Sequence, residues 1–155
     1  MTASAQLAKR FREALLNGTS IAFTNYKDQL EGTHWELATQ QIHSRNSLSQ
    51  LAQHIHYYIH GVLQVFEGGD LTIRDKFSFD FPPVTSQEQW ERILTTLWND
   101  AEKFATHIEA LSDEQLEHPF VNGTYGNYRH NINMMIEHCY YHLGQVVIIK
   151  KMLLQ

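Results

Sequence analysis

Between Trp90 and Ile108, apolar side chains recur every three or four residues: Trp90, Ile93, Leu94, Leu97, Trp98, Ala101, Phe104, Ala105 and Ile108. That spacing puts them along one side of an α-helix and leaves the opposite side polar. A stripe of this length has to be buried against partner elements, which commits the chain to helix-on-helix packing.

Three further patterns supply the partners. The first runs from about Thr2 to about Leu30, with Leu7, Phe11, Ala14, Leu15, Ile21 and Tyr26 on one side and Gly18 as an interruption. The second begins at Ser47, where Ser47 and Gln50 form a capping box, and carries Leu48, Leu51, Ile55, Ile59, Val62 and Phe66 to a stop at Gly68-Gly69. Thr85 and Glu88, just after Pro82-Pro83, predict a capped start for the third. The fourth starts near Asn127 to His130 and continues to the end, with Ile132, Met135, Ile136, Cys139, Leu143, Val146 and Val147 on its apolar side.

More than a dozen residues, Gly68 to Val84, separate the second and third patterns. Antiparallel neighbours need only a short loop, so a link of this length implies a crossover between parallel helices. Phe77, Phe79 and Phe81 alternate along it and are expected to cover the bundle, with a lid over a ligand site as the other reading.

The chain has 155 residues, enough for one domain, 1–155, with a proper core. Its formal charge is −5, and Lys or Arg are adjacent only at Lys9-Arg10 and Lys150-Lys151, which argues against a nucleic-acid partner. The single cysteine, Cys139, rules out an internal disulfide and fits a reducing cytoplasm. Met1 to Arg10 lacks the apolar stretch of a signal peptide, and no apolar run approaches the ~20 residues that span a bilayer.

The chemistry-bearing residues are histidines. His138 and His142 stand four apart within the fourth pattern, so they stack on one helix face, a spacing at which two imidazoles can hold one transition-metal ion. A third ligand would complete an open site, and His54, His56 and His60 on the second helix are candidates. At about 100° per residue, His54 and His56 fall on opposite edges of that helix's apolar face and cannot enter the same site, while His60 points toward solvent. Periodicity does not choose between His54 and His56. Cys139 faces the apolar centre and reads as a small core residue, and Glu137 reads as solvent-facing.

Ser47 to His54 reads S-x-x-Q-L-x-x-H, and His138 to Gln145 reads H-x-x-x-H-x-G-Q. With the four-helix order and the long link, these runs resemble the DinB-like (YfiT-like) superfamily of metal-binding four-helix bundles. Asp75-Lys76-Phe77 through Pro82-Pro83, and Tyr125-Gly126-Asn127-Tyr128, add to the likeness. The resemblance implies an all-α, up-down-down-up bundle, often dimeric. It implies His54, His138 and His142 as ligands of a Zn or Ni ion with open positions. Characterised relatives include thiol-dependent transferases and isomerases that use bacillithiol, mycothiol or glutathione. Many relatives have Arg after the last ligand; here Leu143 stands there, so any substrate-anion contact of that Arg is missing.

The expected function is therefore that of a metal-dependent enzyme of the thiol-transferase or hydrolase type, acting on a small molecule. No acid or base partner is assigned; Tyr58, one turn beyond His54, is a candidate pocket-lining residue. The alternative is a non-catalytic dimeric bundle whose metal is structural or absent.

Overall fold

The computed structural model describes all 155 residues, and its regular structure is entirely helical. Four long helices dominate: α1 (Ala3–Arg12), α4 (Leu48–Phe66), α5 (Gln87–Glu109) and α7 (Tyr128–Leu153). Three single-turn helices fill the connections: α2 (Tyr26–Leu30), α3 (Trp35–Thr39) and α6 (Asp113–Glu117). No helix is long and apolar enough to cross a membrane.

The long helices start where local chemistry tells them to. Ser47 accepts from the Gln50 backbone N–H, and the Gln50 side chain accepts from Ser47 N–H, so the capping box opens α4 as expected. The cap of α5 is Ser86, which accepts from Gln89 N–H, and not Thr85. Thr85 instead gives its backbone N–H to the Gln89 side chain. Both residue types can cap, and Ser86, with its extended backbone, is the one that does.

The first pattern is not one helix. After Arg12 the coil widens into a π-helical turn, Glu13–Asn17, and ends at Gly18, whose backbone is extended. Ala22 and Phe23 both take left-handed φ, near 54° and 57°, which no helix can absorb. Asn25 then caps α2. Ile21 drops off the apolar stripe and is 54% exposed.

Packing runs in a ring, with α1 against α5, α5 against α4, α4 against α7, and α7 against α1. Contacts between α4 and α5 advance along both together: His56 meets Asp100, and Phe66 meets Phe104 at 5.2 Å. Between α4 and α7 they run in opposite senses, His54 beside His142 and Phe66 beside Tyr128. The α1–α5 pair is likewise opposed, from Ser4 at Glu109 to Arg12 at Glu102. The apolar stripes close on one core, in which Phe11 and Phe104 pack edge to face at 4.8 Å. Every buried side-chain nitrogen and oxygen has a hydrogen-bond partner.

The long link leaves α4 at Gly68, whose φ of 90° turns the chain at little cost for glycine. It then lies back along α4. Gly61 of α4 has no side chain where Ile73 of the link sits, and a Cβ there would collide with it. A short 3-10 turn, Asp75–Phe77, precedes Ser78 and Phe79.

Candidate metal centre

Two helices bring three imidazoles to one point. His54 comes from the buried face of α4 and is 5% exposed; His138 and His142 come from successive turns of α7. The ring centroids are 5.2 Å apart for His54 and His138, 4.6 Å for His54 and His142, and 4.7 Å for His138 and His142. One ring nitrogen from each lies within 4.8 Å of the other two.

Hydrogen bonds on the far side of two rings fix which nitrogen is free. His54 Nδ1–H donates to the Ser78 carbonyl at 3.1 Å, and His142 Nδ1–H donates to Gln145 Oε1 at 2.6 Å. A neutral ring that donates from Nδ1 keeps a bare lone pair on Nε2. His54 Nε2 lies 3.3 Å from His138 Nε2. Two nitrogens each about 2.0–2.1 Å from a shared tetrahedral ion stand about 3.3–3.4 Å apart, so the His54–His138 pair already has the spacing of two ligands of one small divalent ion. Carbonyl and amide partners of this kind orient metal-ligating histidines and raise their basicity.

Burial keeps the rings neutral. It is the main cause that lowers the pKa of His54, of His138 (to about 4) and of His142. Neighbouring imidazoles push His54 and His138 further down. Three neutral imidazoles converging on one point, two of them with a bare Nε2, are a ready binding site for a cation.

The walls come from the link and from α4. Phe79 stacks on His54, with centroids 4.0 Å apart and planes 7° from parallel. The link phenylalanines are thus not only cover for the bundle, since Phe79 touches a candidate ligand while remaining 40% exposed. Tyr58 stands edge-on to both His54 and His138 and donates its hydroxyl to Asp75 at 2.8 Å. Burial first, and then the Asp75 carboxylate, hold the Tyr58 phenol above its ordinary range, so it stays protonated. His138 and Tyr58 also line a cavity of about 450 Å³ whose wall is mostly apolar, with Val62, Phe120, Met134 and Met135 among its residues.

Cys139 is fully buried, and burial pushes its thiol well up, which suits a core residue and not a nucleophile. Glu137 is exposed. His56 lies on the other side of α4, bonded to Asp100 of α5 at 2.7 Å, and His60 joins it there at 3.0 Å. His60 therefore does not simply face solvent, although its side chain is 52% exposed. His34, His43, His107, His118 and His130 join neither group.

Some partners were not assigned from the sequence. Gln145 was visible one turn after His142, in the right place to bond it. Asp100 carried a signal too, being a carboxylate set between Leu97 and Phe104 on the apolar stripe. Ser78 and Phe79 gave none, because only the path of the link brings them to His54.

A sequence model of the DinB superfamily matches residues 7–146. No curated protein and no solved structure matches the chain.

Proposed function

The chain belongs to the DinB superfamily, and from that premise we propose that it is a metal-dependent enzyme acting on a small molecule by thiol transfer or hydrolysis. His54, His138 and His142 are the proposed ligands of a divalent ion, zinc or nickel. The observation that carries this reading is the convergence of three neutral imidazoles, two of them with Nε2 freed by a bond at Nδ1. When bound, such an ion supplies Lewis acidity that acidifies a water or thiol toward neutral pH.

The protein's own residues do the rest. Ser78 and Gln145 hold two rings in position. Tyr58 and Phe79 exclude water from the ring faces. The apolar cavity beside His138 favours a co-substrate with a hydrophobic body, with Arg74, Asp75 and Asn131 as its polar contacts. With three protein ligands and a cavity alongside, an open site is favoured over the closed four-ligand set of structural zinc. The ring of helix contacts supports a single domain with the up-down-down-up order of a four-helix bundle. A cytoplasmic homodimer is the proposed setting.

Metal analysis of untagged protein tests the ligand set. The expected result is metal bound by His54, His138 and His142 in the wild type and lost from this site in His142→Ala. Unchanged metal content in that variant rejects the assignment. Turnover by metal-loaded protein should then appear in a screen of low-molecular-weight thiols, bacillithiol, mycothiol and glutathione, against electrophiles and hydrolysable esters or amides. No turnover anywhere in the screen leaves the non-catalytic bundle as the better reading.

A further inference from the structure

The opposite face of α4 carries a second convergent group. His56 and His60, one turn apart, both aim a ring nitrogen at the same atom, Oδ2 of Asp100 on α5: His56 Nε2 at 2.7 Å and His60 Nδ1 at 3.0 Å. Asp100 is 8% exposed and sits within the apolar stripe of α5. A buried carboxylate there is costly unless it is paired.

The three donor atoms lie within 4.8 Å of one another. A tetrahedral ion about 2.0–2.2 Å from each would set them about 3.3–3.6 Å apart. The rings need withdraw from Oδ2 by less than about 1 Å, within reach of side-chain rotations. Gln64 supports the change: its side-chain amide lies 3.3 Å from His60 Nε2. With that amide turned over, its oxygen accepts the Nε2–H that a ring ligating through Nδ1 must carry. Beyond the cluster lies a cavity of about 710 Å³, bordered by Gln53, Tyr57, Thr72, Ile73, Phe81 and Ile93.

We infer that His56, His60 and Asp100 form a second divalent-metal site, separate from the three-histidine centre and open to this cavity. Two imidazoles select a transition metal over calcium or magnesium, and two histidines with one carboxylate leave coordination positions free. Bridging α4 to α5, the ion also ties together the two helices that the long link joins.

Equilibrium dialysis of untagged, chelator-stripped protein against zinc tests this site apart from the first. The expected counts are two zinc ions per chain in the wild type, one in His142→Ala, one in His60→Ala, and none in the double variant. Half-exposed His60 can be removed without disturbing the core, and Asp100→Asn should repeat its loss. Cobalt(II) substituted into His142→Ala should give visible absorption that His60→Ala abolishes. One zinc in the wild type, retained in His60→Ala and in Asp100→Asn but lost in His142→Ala, would overturn the second site and leave the first standing. One zinc retained in His142→Ala but lost in His60→Ala would support the second site and reject the first.

Discussion

Gln145 accepts the Nδ1–H of His142 across 2.6 Å, one helical turn along α7. The bond fixes both the ring's rotation and its tautomer, so the glutamine of the H-x-G-Q run acts on the candidate ion through His142. Gln145→Leu should therefore leave the fold intact and weaken metal binding at the three-histidine centre about 10–100-fold, the usual cost of losing such a partner. Competition against a chromogenic chelator reads this out. Affinity equal to the wild type would show that packing alone holds the ring.

Acid should destabilise the metal-free protein in a defined window. His54, His138 and His142 have folded-state pKa values lowered chiefly by burial, that of His138 to about 4, whereas unfolded imidazoles titrate near ~6.5. A lowered pKa means that the folded state prefers the neutral ring. Above ~6.5 both states are neutral and the contribution to stability is complete. As pH falls from there toward 4 the unfolded chain binds protons first, and stability is lost. Urea midpoints of metal-free protein should drop between pH 7 and pH 5, and drop less in His138→Gln. Identical profiles for the two proteins would contradict this account. Metal should also be retained to lower pH than free imidazole would allow, because the folded rings resist protonation.

Much of this arrangement was legible in the sequence, and the failures have physical causes. The stripe from Trp90 to Ile108 and the Ser47–Gln50 box depend only on helical periodicity and on contacts within one turn, and both held. The first pattern does break at the interruption marked by Gly18, but the π-helical turn before it and the two left-handed residues after it leave little mark on apolar spacing. The start of α5 slipped by one residue between two adjacent hydroxyls, both able to cap. The choice between His54 and His56 could not be made on one helix. Both edges of α4 are used, and what separates them lies on other elements: His138 and His142 of α7 on one side, Asp100 of α5 on the other.

Gly61 should resist substitution although it sits inside a helix. Alanine is ordinarily favoured over glycine there by about 1 kcal/mol. Here a Cβ would strike the side chain of Ile73, including the branch at its Cβ, which cannot swing clear as a chain end could. Ile73 borders the cavities on both sides of α4, so displacing it lifts the link from the helix. Gly61→Ala should lower the Tm, and Gly61→Leu should lower it further. A Tm above the wild type for Gly61→Ala would mean that the link yields freely.

Phe79 should control how readily metal leaves the three-histidine centre. Its ring lies flat on His54 at 4.0 Å, while the preceding residue, Ser78, holds His54 Nδ1 through its carbonyl. Two consecutive residues of the link thus restrain one imidazole from its face and its edge. Phe79→Ala removes the stack and opens that face to water but leaves all three imidazoles in place. A stacking contact of this kind contributes about 0.5–1.5 kcal/mol, equivalent to about a twofold to tenfold change. The variant should keep the wild-type stoichiometry while losing metal to excess chelator faster by that factor, and Phe79→Tyr should restore the slow rate. An unchanged rate in Phe79→Ala would mean that the Ser78 carbonyl alone restrains the ring, and that the link reaches the centre through its backbone.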